Sequence, residues 1–181
     1  MVYIFMSDGT EEIEAITVFD LLKRGGADVK TVGVPKKEIC LSHGLRVGCD
    51  LSCEEIILDD SLEAVVLPGG MPGTRNLEQD ENVQRAIDFA AARGLLLCAI
   101  CAAPSILGHK GLLSGKNAVC YPGFEKELRG AVVGSQPAVR DGSVVTANGA
   151  GSAIEFAACI LAALKGADAS KTVLDAIQYR K

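Results

Sequence analysis

Leu95-Leu96-Leu97-Cys98-Ala99-Ile100-Cys101-Ala102-Ala103-Pro104-Ser105-Ile106-Leu107 is the stretch whose reading decides the fold. An apolar run of strand length ends in a turn of small residues and re-enters as a short helix, with a cysteine at the corner. Ala102 and Ala103 suit a tight turn, and Pro104 suits the first helical position. This bend exposes one side chain, Cys101, at the carboxyl edge of a sheet. It resembles the nucleophile elbow of hydrolases, with Cys for Ser and without the flanking glycines. Unpaired N–H groups and the dipole at a helix start favour an anion, so the placement predicts a Cys101 thiol more acidic than free cysteine.

Outward from this corner, strand and helix alternate. A buried strand over residues 2–6 is followed by a turn at 7–10. A helix then spans about 11–24, with Ile13, Ile16, Phe19 (or Val18) and Leu22 as its apolar face and Gly25-Gly26 as its stop. Residues 27–34 read as the second strand, and 39–41 with 45–49 as a small hairpin around Ser42-His43-Gly44. Residues 64–67 form a third strand ending at Pro68-Gly69-Gly70, and 80–93 a helix. Further strands are expected at 95–100, 118–121, 132–133, 138–139 and 144–147, with final helices at 152–164 and 170–177. Repeated βα units imply a parallel sheet with right-handed crossovers, covered on both faces. Ligands in such sheets bind beyond the carboxyl ends of the strands. The 8–14 segment, Gly69-Gly70, Cys101 and the turn from Asn148 to Gly151 converge there.

The 181 residues suffice for one domain, 1–181, with a substantial core. Aromatic residues are only 4% and Trp is absent, so Val, Ile, Leu and Ala must fill that core, as in parallel sheets. A net charge of −5 gives no footprint for nucleic acid or an anionic membrane. No apolar run approaches the ~18 residues of a spanning helix. Met1 to Met6 lacks a basic n-region and reads as a strand, not a signal peptide. Seven irregularly spaced cysteines fit free thiols in a reducing cytoplasm. The two histidines, His43 and His109, form no ligand-spaced cluster, so no metal is expected; His109 is read as capping the short helix. Gly149-Ala150-Gly151 meets Ile154 where a dinucleotide fingerprint needs a small residue, no Walker loop occurs, and no cofactor is expected.

Glu14 is the candidate partner of Cys101. Glu11, Glu12 and Glu14 share a first helical turn, where acids complement the dipole and are usually solvated. Glu14 precedes an apolar Ala15-Ile16 pair, the alternative being that it faces inward. A carboxyl beside a thiolate would have its pKa raised by like charge and burial, and in its protonated form would donate to sulfur or act as a general acid. Gly69 and Gly70 serve either as a turn needing positive φ or as oxyanion donors, with the Ala102 N–H completing the hole. Cys98 falls inside the strand, which argues against a Cys98–Cys101 redox pair; Cys49 and Cys53 read as ordinary thiols.

Glu11-Glu12-Ile13-Glu14-Ala15, Leu67-Pro68-Gly69-Gly70-Met71-Pro72-Gly73, Ala99-Ile100-Cys101-Ala102-Ala103-Pro104 and Gly149-Ala150-Gly151-Ser152-Ala153-Ile154-Glu155-Phe156 together resemble the ThiJ/PfpI family, near the branch of the Parkinson-disease-associated deglycase. The resemblance covers essentially the whole chain. It implies a flavodoxin-like three-layer α/β sandwich with a mainly parallel central sheet, similar to the class I glutamine amidotransferase-like fold, and usually a homodimer. It matches the elbow cysteine to Cys101, the protonated acid to Glu14, and the oxyanion donors to Gly69, Gly70 and Ala102. Arg24 matches a basic residue near the dimer interface. Ala102 stands where the protease-like branch has His, which argues against a peptidase. Tyr121 stands where the deglycase branch often has His, and a phenol is no imidazole base near neutral pH. His43 matches a basic position that would reach the partner's site; Tyr121 and Asn148 are further candidates for lining this one.

Two functions follow from one sulfur. The first is a cofactor-free glyoxalase or deglycase acting on small reactive carbonyls. The second is an oxidant-responsive thiol protein whose Cys101 becomes a sulfinate without turnover.

Overall fold

The computed structural model describes residues 1–180. The first half runs β1 (Val2–Ser7), α1 (Glu12–Arg24), β2 (Val29–Val34), β3 (Glu38–Cys40), β4 (Arg46–Gly48), β5 (Leu51–Ser52), β6 (Ala64–Leu67), α2 (Gly73–Gln79) and α3 (Glu81–Ala92). The second half runs β7 (Leu96–Ile100), α4 (Pro104–His109), β8 (Asn117–Ala118), β9 (Val132–Val133), β10 (Ala138–Asp141), β11 (Val144–Ala147), α5 (Ala153–Lys165) and α6 (Ala167–Ala176). Seven strands form the central sheet in the order β10-β11-β7-β6-β1-β2-β5, parallel except for the antiparallel β10–β11 edge. The expected flavodoxin-like α/β architecture with a mainly parallel sheet is present.

The sheet is apolar on both faces because helices cover both. Val2, Ile4 and Met6 of β1 join a core with α1, α5 and α6, including Val18, Leu22, Phe156 and Ile160. Tyr3 and Phe5 of the same strand point to the opposite core, with Leu77, Ile87 and Ile106 from α2, α3 and α4. The period-two alternation of one strand thus fills two layers.

Chain direction changes beside β1. From β1 the chain crosses to β2 on one side, and it later returns to β6 on the other. Ligand crevices form at such switch points, outside the carboxyl ends of the strands. Ile4 pairs with Val66, Val66 with Cys98, and Ile100 with Ala147, so the segments after β1, β6, β7 and β11 emerge side by side.

Several expectations change. Ile13 and Ile16 do not face the core: they are 54% and 40% exposed, whereas Glu14, Ala15, Val18, Leu21 and Leu22 are buried. The buried stripe runs through the pair Glu14–Ala15, Val18 and the pair Leu21–Leu22, and Ile13, about 100° before Glu14, falls outside it. The strand expected at 118–121 shrinks to Asn117–Ala118, because the Val119 N–H turns to the Thr146 hydroxyl and the Tyr121 N–H to the Cys101 carbonyl. α2 and β5 were not anticipated, and α6 starts at Ala167 instead of 170.

Candidate active site

The corner after β7 folds as a strained turn. Cys101 has φ +65°, a left-handed conformation that is uncommon for a non-glycine residue. Its own N–H donates to the Ala147 carbonyl, and its carbonyl accepts from Tyr121 N–H, so β11 on one side and the Tyr121 segment on the other hold the turn. Such over-determined strain is a recurrent mark of functional positions.

Glu14 reaches the sulfur from α1. The side chain is 1% exposed, and its Oε2 accepts the Gly69 N–H at 2.7 Å while hydrogen-bonding Cys101. Glu11 orients that first turn, because its carboxylate accepts the Glu14 N–H at 2.8 Å, an N-terminal cap. The inward alternative for Glu14 is therefore the one realised.

The two glycines after β6 are required by crowding. A Cβ on Gly69 would lie 2.6 Å from the Cys101 Cβ and 2.8 Å from Glu14 Oε2. Gly70 has φ +91°, and a Cβ there would lie 2.4 Å from the Gly9 carbonyl oxygen. Backbone thus packs on backbone where the loops after β1 and β6 meet, and the Gly70 and Ala102 N–H groups both donate to the sulfur. Cys101, Glu14, Gly69, Gly70 and Ala102 come together as a single constellation.

Its electrostatics reverse one expectation. Burial, then the Glu14 charge and hydrogen bond, push the Cys101 thiol up to about 12, despite the two N–H donors that pull the other way. Position at the helix start does not by itself acidify this thiol. α4 is short, and the turn residues 101–103 separate the sulfur from its first turn. Burial also raises the Glu14 carboxyl, to about 7, against the opposing Gly69 hydrogen bond. The carboxyl and thiol share a hydrogen bond, so the first proton lost near neutrality belongs to the pair.

The remaining candidates divide. Tyr121 lies beside the site: it is half exposed and linked to Cys101 through the backbone, and a Cβ on Gly149 would lie 3.3 Å from its ring. Asn148 stands directly after β11, and its side-chain oxygen accepts the Ser152 hydroxyl at 2.6 Å. His43 sits at the hairpin tip with its side chain 77% exposed, 2.8 Å from Glu12 Oε2 and without a hydrogen bond to Cys101 or Glu14. Glu12 accepts from Ser42 and His43 and is held down at about 2, although burial opposes this. Arg24 does not line the site: it pairs with Asp20 at the far end of α1, roughly 15 Å along the axis from Glu14. Cys98 is fully buried, and burial raises its thiol far above the ordinary range. His109 does not cap α4; its ring lies between the carboxylates of Glu78 and Glu127, which raise its pKa. Thr74 was not anticipated, because α2 hides behind the Pro72-Gly73 punctuation.

The chain is similar to known proteins along most of its length. The family model described as DJ-1/PfpI matches residues 1–163. DJ-1 homolog B of Arabidopsis thaliana is 34% identical over 168 residues, covering 91% of this chain and 38% of the plant protein, so the chain spans well under half of that relative. Glutathione-independent glyoxalase DJR-1.2 of Caenorhabditis elegans is 27% identical over 169 residues, covering 92% of this chain and 89% of its own. The structure of oxidized DJ-1 from Toxoplasma gondii superposes with a TM-score of 0.94 at 30% identity, covering 99% of this chain and 98% of that one. With its fold and nearly all its length accounted for, the chain belongs to the DJ-1/PfpI family.

Proposed function

We propose that this protein is a cofactor-free enzyme of the glyoxalase or deglycase type, acting on small 2-oxoaldehydes through Cys101 and Glu14. The carrying observation is a buried carboxyl that accepts the Gly69 N–H at 2.7 Å and hydrogen-bonds a sulfur that also receives two backbone N–H groups. The name of the nematode relative supports the same chemistry.

The reactive form is the tautomer of the singly deprotonated pair that carries the proton on Glu14 and the charge on Cys101. With the thiol held up at about 12, it is reached from the prevalent carboxylate–thiol form by proton transfer along their shared hydrogen bond. Sulfur adds to the aldehyde carbon and forms a C–S bond. The former carbonyl oxygen turns toward Gly70 and Ala102 N–H and takes the Glu14 proton. Glu14, now ionised, removes the hydrogen on that carbon as a proton and delivers it to the ketone oxygen, giving an enediol. It then takes the proton of the hydroxyl on the sulfur-bearing carbon and delivers it to the neighbouring carbon, ending ionised. The result is a thioester beside an alcohol, and water cleaves it to a 2-hydroxy acid and free Cys101. Oxidation of one carbon balances reduction of the next, and the sum is aldehyde plus one water. Methylglyoxal should yield lactate with the parent protein and none with Cys101→Ala; equal lactate from both would overturn the reading.

Oxidant response is the second reading, favoured by the oxidized state of the Toxoplasma relative. Two equivalents of peroxide would convert the Cys101 thiolate to sulfinate with release of two waters, and protonated Glu14 would donate to a sulfinate oxygen. Intact mass after graded peroxide should place both oxygens on Cys101 first; random oxidation of the cysteines would overturn it. We also infer a cytoplasmic homodimer, joined through the outward Ile13 and Ile16 of α1. Two such side chains exposed on one helix leave apolar surface that a second copy would cover.

A further inference from the structure

We propose that the cleft beside Cys101 on the α2–α4 side is a subsite for a hydroxylated carbon chain, so that the preferred substrates are 2-oxoaldehydes bearing hydroxyls beyond the dicarbonyl. This rests on the glyoxalase reading above and specifies its substrate. Met71, Thr74, Arg75, Ser105, His109 and Phe124 line a cavity of about 250 Å³, with Glu78 and Glu127 around His109.

Three walls of the cleft begin at the sulfur. Met71 follows the donor Gly70, and the Thr74 N–H donates to the Gly70 carbonyl at 2.8 Å. Ser105 lies one helical turn beyond Cys101, and its hydroxyl donates to the carbonyl of the other donor residue, Ala102, at 2.7 Å. The Phe124 N–H donates to the Tyr121 carbonyl, and the Tyr121 N–H to that of Cys101. Cys101 itself does not line the cavity, but these links start its walls one to four residues from the sulfur and its two donors, within reach of the tail of a substrate held at the thiol.

The chemistry of the lining favours hydroxyls over a charged group. Arg75 and His109, whose pKa the flanking carboxylates raise, stand against two carboxylates, Glu78 and Glu127, so both signs of charge line the cleft and it is not built for an ion of one sign. His109 is already held between both carboxylates, whereas Arg75 makes no ion pair among the described residues. The Ser105 hydroxyl donates to protein and keeps its lone pairs for a substrate O–H. Thr74 is 3% exposed, and its hydroxyl is the one buried side-chain polar atom among the described residues without a partner. An unpaired buried hydroxyl is destabilising, and an isosteric Val would remove that cost. The atom has no accessible surface as it stands, so a threonine here is explained if rotation about χ1 turns the hydroxyl into the cleft, where a substrate hydroxyl completes it. The cleft holds a tail of a few carbons, given that one water takes about 30 Å³.

The test compares three aldehydes: 3-deoxyglucosone with a hydroxylated tail, phenylglyoxal with an apolar one, and methylglyoxal with neither. The parent should show the highest kcat/KM for 3-deoxyglucosone. Thr74→Val should lower the ratio of 3-deoxyglucosone to methylglyoxal about tenfold, the size of one lost hydrogen bond in a site built for it. Its denaturation midpoint should hold or rise, which a merely structural hydroxyl bond would not permit. Arg75→Met should lower the same ratio. Unchanged ratios in both variants, or a parent preference for phenylglyoxal, would overturn the subsite. Protection of Cys101 from iodoacetamide by the same aldehydes reads the cleft without turnover. Selective protection by 3-deoxyglucosone with no product would refute only the enzymatic reading, and equal protection by all three would refute the subsite.

Discussion

Replacing Glu14 by Gln should make the protein more stable at pH 8 while leaving its stability at pH 4.5 nearly unchanged. Gln keeps the shape and the acceptor for Gly69 N–H but carries no proton to lose. In the parent, burial raises this carboxyl from 4.5 to about 7. Between those values the folded chain holds a proton that the unfolded chain has released, so stability falls as pH rises through the window. At 1.36 kcal/mol per pH unit the loss amounts to about 3 kcal/mol, complete just above pH 7. The loss is the same whichever atom of the Glu14–Cys101 pair bears the resulting charge, because linkage counts protons and not their positions. Urea denaturation of parent and Glu14→Gln at half-unit steps from pH 4.5 to 8 would measure it. The two stability curves should diverge by about 3 kcal/mol, with the variant above. Parallel curves across that range would refute the idea that folding buries an ionisable carboxyl against the sulfur.

Gly69→Ala drives a methyl into the Cys101 Cβ and Glu14 Oε2; it should cost about 1–3 kcal/mol and change the alkylation rate of Cys101, and an unperturbed rate and denaturation midpoint would contradict the crowding. Glu12 accepts from Ser42 and His43 and is held at about 2, so this contribution is present above pH 4.5 and is lost as pH falls through 2. Glu12→Gln should speed amide exchange in the 38–48 hairpin at pH 6, and equal exchange would count against the tether. Ile13→Glu with Ile16→Glu should halve the mass found by sedimentation if α1 joins two copies; a parent already monomeric at tens of micromolar would dismiss the homodimer.

The alternation of strand and helix, the convergence of the candidate residues at the carboxyl edge and the elbow at Cys101 were all legible in the residues alone. Those properties rest on local patterns: apolar runs of strand length, small residues at a bend, Pro104 at a helix start and glycines after β6. The family resemblance was equally legible, because its four motifs keep their order along the chain. Three other features were decided by packing. Ile13 and Glu14 compete for the interior of α1, and nothing in a hydrophobic period shows that a carboxyl wins; the Gly69 N–H and the Cys101 sulfur, distant in sequence, supply what makes its burial tolerable. The short β8 gives way because Val119 and Tyr121 find hydrogen-bond partners on β11 and at the elbow. The thiol's proton affinity likewise depends on solvent exclusion and on a carboxyl brought in by another element, and chain folding alone brings those distant groups together.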